Sequence, residues 1–382
     1  MGKTILIAVV TLLMLPALSF AEGKSVYGED NRLDYFAAAQ DMKTLSDSVV
    51  SLWKTHSVET LNPGEVKLKT VSLDNYIMAR NGGSNLCPGE KFREQPTGAF
   101  CSGALVGEDL MMTAGHCIRN AAECAATRIV FGYAVKKEGE AAVTTLPASE
   151  VYGCSRVIKR FRGKKPAPGN PAGQTQGADY ALVQLDRKVT GHKPLPINRK
   201  ADLKNGDGIV LIGYPLGLPL KIAGGAAVRD FSRVGYFTAN LDAFVANSGS
   251  PVFNAMTRKI EGILVRGKVD FAYTPIEYPD FASMPYFVYS PAGCITMATY
   301  KQTEGGEDVT KISALSPFIS ELGFLDRVLF FIKMKLHDLT TTGKVAADLP
   351  EVKDVNSRAI QSIDITPSRV VSFDQPLPQG RR

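Results

Sequence analysis

Histidine is scarce in this sequence, with four residues (His56, His116, His192 and His337) in a chain of 382. No two of them are close together, which excludes a paired-histidine zinc motif of the HExxH kind. A large excess of one charge is also lacking. Lys and Arg number 44 against 38 Asp and Glu, a net +6 that demands no nucleic-acid partner. Long apolar runs are nearly absent. The exception, Ile5 to Leu18, follows Lys3 and precedes Ser19-Phe20-Ala21 and Glu22. A charged start, about 14 apolar residues and a small-x-small site describe a secretory signal peptide, whereas a membrane span needs about 20. Removing residues 1–21 leaves 361 residues and, with Lys3 gone, a charge of +5. No later segment is long enough to cross a bilayer, since the best, Val328 to Ile332, lies between Arg327 and Lys333.

What is present is ordinary globular material. The chain is 45% apolar and 21% charged with 35 Gly, which excludes disordered, collagen-like and coiled-coil classes. Export, secreted or periplasmic, favours disulfides over thiols for Cys87, Cys101, Cys117, Cys124, Cys154 and Cys294. Short apolar runs broken by Gly, Pro and Asn predict an all-β barrel or sandwich. Examples are Ala104 to Val106, Arg128 to Tyr133, Tyr180 to Leu185, Ile209 to Ile212 and Ile260 to Val265. A segment from Gly163 to Ala178, with four Gly and three Pro, reads as a long exposed loop joining two halves. The preceding Arg156, Lys159, Arg160 and Arg162 read as a solvated basic face. A helix is expected from Ser316, with Ser316 as N-cap and Pro317 in the first helical position, running to about Leu322 and ending at Gly323. No internal repeat is visible.

Three patterns bear chemistry, in the order His, Asp, Ser. The first runs from Cys101-Ser102-Gly103 to Thr113-Ala114-Gly115-His116-Cys117. A bond between Cys101 and Cys117 closes a loop of about 15 residues, worth roughly 3 kcal/mol in the chain-entropy model, and pins the adjacent imidazole. The second is Asp179 heading the apolar strand Tyr180 to Leu185, placed to accept from an imidazole Nδ1–H. The third is Ala246-Asn247-Ser248-Gly249-Ser250-Pro251, a small-residue turn ahead of a strand. Each alone is a common structural feature. Their order, and spacings of 63 and 69 residues, make the combination far more specific.

With these residues, and with Gly28-Glu29-Asp30-Asn31-Arg32 near the mature start and Gly213-Tyr214-Pro215, the chain resembles the chymotrypsin-like (trypsin-like) serine peptidases, in the bacterial glutamyl-endopeptidase-like branch. The resemblance runs from about Val26 to Leu322. It implies an all-β fold of two perpendicular six-stranded β-barrels with a C-terminal helix. The expected divisions are 1–21 signal peptide, 22–325 peptidase domain and 326–382 a short extension of unknown role. By position it makes Ser248 the nucleophile, His116 the general base and then acid, and Asp179 the orienting carboxylate. The N–H groups of Ala246 and Ser248 become the oxyanion hole. Substrates are then proteins or peptides, and neither metal nor organic cofactor is expected.

Two departures matter. Ala246 stands where the family usually has Gly, at a position that often needs a backbone conformation comfortable only for Gly. Asn247 replaces the Asp with which animal trypsins bind a newly freed N-terminal amine. For specificity, Asp242 occupies the position whose carboxylate selects Lys or Arg, and Val265, Arg266 and Gly267 lie on the strand lining the pocket. That strand carries no His of the glutamate-selecting kind, so a basic residue before the scissile bond is expected, opposed by Arg266 if it neutralises Asp242. Seven aromatics from Phe271 to Tyr289 read first as packing of a long loop and second as a groove wall. The alternative to a secreted serine endopeptidase is a catalytically weak or inactive binding protein of the same fold.

Overall fold

In the computed structural model, residues 26–80, 83–163, 177–268, 270, 294–303 and 306–320 are described. The expected signal peptide, the aromatic run 271–289, most of the 163–178 loop and the 326–382 extension lie outside these residues.

The apolar runs form strands, and the strands close into two barrels. The first uses β1 (Val49–Lys54), β2 (Cys101–Leu105), β3 (Leu110–Thr113), β4 (Thr127–Val130), β5 (Val151–Arg162) and β6 (Asp179–Leu185). They pair in the order β1-β2-β3-β6-β5-β4, and β4 returns to β1. The second uses β7 (Gly208–Gly213), β8 (Lys221–Asp230), β9 (Tyr236–Ala239), β10 (Pro251–Asn254), β11 (Ile260–Arg266) and β12 (Glu307–Lys311). Its order is β7-β8-β9-β12-β11-β10, closed by pairing of β10 with β7. The same connectivity therefore occurs twice. These are the two six-stranded barrels of a chymotrypsin-like fold.

Alternation explains how the second barrel packs on both faces. Leu211, Val252 and Leu264 join Val228, Phe237 and Val309 in one cluster. Val210, Ile212, Phe253, Ile263 and Val265 face the other way, into a core continuous with Val50, Leu52, Trp53, Met112, Ile129 and Leu182 of the first barrel. Buried polar groups are satisfied within the first barrel too. The Trp53 Nε1–H donates to Ser51 Oγ at 2.9 Å, and that hydroxyl donates to the Val130 carbonyl at 3.2 Å.

The six cysteines form three disulfides, Cys101–Cys117, Cys87–Cys294 and Cys124–Cys154. The helix expected from Ser316 is present as a single 3₁₀ turn, Ser316–Phe318, with Leu315 rather than Ser316 preceding it as cap. The chain is extended again at Ile319, whose side chain is buried in the core. Leu322 and Gly323 lie outside the described residues. Among the described residues no helix is long and apolar enough to cross a membrane.

Candidate active site

β3 ends at Thr113, and the following turn delivers His116 beside the start of β6. Gly115 is required there because a Cβ would lie 2.7 Å from Asp179 Oδ1 and 2.8 Å from the Tyr180 carbonyl. Asp179, only 1% exposed, uses both oxygens on His116. Oδ2 lies 2.7 Å from Nδ1, and Oδ1 accepts the His116 backbone N–H at 3.1 Å. With Asp179 accepting at Nδ1, the neutral ring carries its proton there and keeps the Nε2 lone pair as a base. The His116 side chain is 26% exposed, so the imidazole reaches the surface while its partner does not.

Asp179 is itself held from the second barrel. Its N–H donates to Thr310 Oγ1 at 2.9 Å, and the same hydroxyl donates to the Asp179 carbonyl at 3.0 Å. Arg160 on β5 steadies the histidine turn by donating to the Gly115 carbonyl at 2.6 Å.

Ser248 sits in a tight turn between β9 and β10. The Asn247 N–H donates to the Phe244 carbonyl at 3.0 Å and the Ser250 N–H to the Asn247 carbonyl at 2.9 Å. A Cβ on Gly249 would strike the Ser102 carbonyl and the Thr113 hydroxyl, and φ there is +92°, so only Gly fits. Ala246 is in the left-handed region at φ 71°. Its carbonyl accepts from Ser102 Oγ at 2.9 Å, and Ser102 Oγ accepts the Tyr214 N–H at 3.1 Å. The Ser102 N–H donates to the Ser248 carbonyl at 2.8 Å. Cys117 Sγ lies 3.5 Å from that same oxygen, so the Ser248 turn abuts the histidine turn. Asn247 is buried, with Oδ1 accepting from Ser250 Oγ at 3.2 Å, while Nδ2 has no hydrogen-bond partner among the described residues.

The residues expected to select substrate engage other parts of the protein. Asp242, 4% exposed, accepts the Tyr27 N–H on Oδ1 and the Asn31 N–H on Oδ2, each at 2.8 Å. Arg266 engages a different carboxylate. It pairs with Asp308 at 3.2 Å and donates to the Gly177 carbonyl. Val265 is buried in the core. Gly267 has its absent side chain replaced by the buried carboxylate of Glu307, which occupies the space a Cβ would need.

Cys101, Cys117 and His116 lie within 4.8 Å of one another, the pattern of a metal trio. Both sulfurs are consumed in the Cys101–Cys117 disulfide and offer no thiolate.

Ser102, Thr310, Arg160 and Glu307 had no expected part in the site. Ser102 lies in the Cys101-Ser102-Gly103 motif, and its polar side chain in an apolar strand is the available signal. Thr310 and Glu307 carried none, because their partners are distant in the chain.

Residues 101–263 match the family of the trypsin-like peptidase domain, a stretch that contains His116, Asp179 and Ser248. Among solved structures the chain is similar to the VesB protease of Vibrio cholerae, at 12% identity and a TM-score of 0.39 over 76% of this chain and 66% of that one. The alignment therefore spans just under two thirds of that protease's length. Residues 101–263 are therefore the stretch of this chain that is similar to a trypsin-like peptidase domain.

Proposed function

We propose that the protein is a secreted or periplasmic serine endopeptidase working through Ser248, His116 and Asp179. The observation that carries this reading is the double engagement of buried Asp179 by His116, at Nδ1 (2.7 Å) and at the backbone N–H (3.1 Å). That arrangement fixes ring, tautomer and backbone together, which a merely structural histidine does not need.

In this mechanism the Ser248 hydroxyl attacks the scissile carbonyl as His116 Nε2 takes its proton. Asp179 stabilises the resulting imidazolium. The N–H groups of Ala246 and Ser248 receive the oxyanion, each worth about 2.7–4 kcal/mol to the transition state. His116 then protonates the leaving amine, and water repeats the sequence on the acyl-enzyme.

Three disulfides support export, with residues 22–325 as the peptidase unit after loss of 1–21, and 326–382 as an extension. The Gly28–Arg32 segment supports a scaffold of the bacterial glutamyl-endopeptidase-like kind, although the β11 strand carries no His. A preference for a basic residue rested on Asp242. Its engagement by two N–H groups withdraws that support. The second reading, a weak or inactive binding protein, draws on the left-handed Ala246.

Cleavage of a mixed peptide library by the mature protein tests the proposal and reads the preferred residue. Hydrolysis that disappears in Ser248→Ala with unchanged thermal unfolding is expected. Hydrolysis retained by that variant contradicts the assignment.

A further inference from the structure

The catalytic chemistry leaves the Gly28–Arg32 motif unused, yet its surroundings are elaborate. Val26–Tyr27 pairs in parallel with Thr299–Tyr300, and Arg32–Asp34 pairs antiparallel with Lys221 to Ala223 of β8. Between the two pairings the chain turns at Gly28, with φ 83°. Residues 26–34 thus form a strap on the second barrel. Buried Lys221 fastens its far end, contacting Asp34 Oδ1, Gln95 Oε1 and the Pro219 carbonyl at 2.7, 2.7 and 2.9 Å.

The strap meets the nucleophile loop at two points. Asp242, six residues before Ser248, takes one strap N–H on each carboxylate oxygen, from Tyr27 and Asn31. Arg32, paired with Asp30 at 2.6 Å, lays its buried guanidinium 4.2 Å from the centroid of Phe244. The Phe244 carbonyl in turn accepts the N–H of Asn247, next to Ser248. Leu216 N–H holds the Val245 carbonyl at 2.6 Å, and Ser102 holds that of Ala246. A non-glycine residue persists at positive φ only when its neighbours over-determine it, and the strap supplies one side of that restraint.

We propose that Asp242 is a positioning residue, whose carboxylate ties the 26–34 strap to the loop that presents the Ala246 N–H and Ser248, rather than a residue that selects substrate. The proposal rests on the serine-peptidase reading for its kinetic consequence, but not for its structural one. A substrate-selecting carboxylate directs its lone pairs at the pocket. This one is buried and directs both oxygens at backbone.

Asp242→Asn tests it in the mature protein, because the amide keeps the shape but turns one acceptor into a donor facing an N–H. The expected result is a kcat lowered about 10- to 100-fold for every peptide substrate, basic or neutral before the scissile bond, with KM changed much less. Amide hydrogen exchange at Tyr27, Asn31 and Asn247 should speed up together. Loss confined to Lys and Arg substrates overturns the proposal in favour of a selecting role. Unchanged exchange at Asn247 overturns it whether or not the protein hydrolyses peptides, so a failure of the tie is distinguishable from a failure of the enzymatic reading. Should the Asp242→Asn variant fail to fold, Asn31→Pro removes one donor and leaves the carboxylate. The same exchange pattern at reduced size is then expected, and protection at Asn247 equal to the native protein's contradicts the tie.

Discussion

At the scale of single residues, Ala246 and Asp242 are the most telling. Ala246 was conspicuous in the sequence as a departure at a glycine position, and it adopts φ 71°. A left-handed residue with a Cβ costs about 1–2 kcal/mol, part of which Gly recovers against its own greater unfolded freedom. Ala246→Gly should therefore stabilise the protein by about 1 kcal/mol in urea unfolding and raise kcat. A loss of stability or activity would show the turn is unstrained. Asp242 was legible as a carboxylate but not in its role, because its partners are backbone N–H groups more than 200 residues away and leave no trace in side-chain identity. Burial raises its pKa from 3.8 to about 6, opposed by the Tyr27 and Asn31 N–H bonds, with Asp30 raising it further and Arg32 lowering it. Between those values the folded protein holds a proton that the unfolded chain has released. This group's contribution to stability is thus present below pH 3.8 and is lost as pH rises through about 6. Asp242→Asn lacks that slope, so its urea midpoint relative to the native protein should improve from about pH 4 to about pH 7. Parallel pH profiles would contradict the shift.

At the scale of elements, the strands were legible and the ends of elements were not. Apolar runs such as Tyr180 to Leu185 and Ile260 to Val265 became β6 and β11 because nearly every residue in them is buried. The Ser316-Pro317 signal for a helix start was real but local. Arg199 donates to the carbonyls of Ser316, Ile319 and Ser320, and Ile319 turns into the core, so the turn stops after Phe318. Core burial outweighed capping chemistry. The tie between β6 and the second barrel at Thr310 was equally invisible, since one hydroxyl serving both backbone groups of Asp179 is a tertiary contact between residues 131 apart. Thr310→Val keeps the shape but strands a buried N–H and carbonyl. It should destabilise the protein by about 1–3 kcal/mol and lower kcat more than it raises KM. An unfolding midpoint equal to that of the native protein would show that Asp179 does not depend on this hydroxyl.

At the scale of the whole molecule, two barrels with one connectivity meet where the turn carrying His116 abuts the turn carrying Ser248, with Cys117 Sγ 3.5 Å from the Ser248 carbonyl. No repeat was visible in the sequence. The repeated feature is a hydrogen-bonding order, which many different apolar residues can satisfy. The seam adds specific polar ties to the shared apolar core, with Ser102 on β2 holding the carbonyls of both Ala246 and Ser248. The scarcity of histidine singles out His116 in the sequence, and in the structure that residue makes two bonds to Asp179. The most direct measurement is labelling of the folded, disulfide-intact mature protein with a fluorophosphonate, read by mass spectrometry. A single adduct on Ser248, lost in His116→Ala, is expected. A native protein that acquires no adduct on Ser248, or acquires it equally without His116, would contradict the serine-peptidase reading.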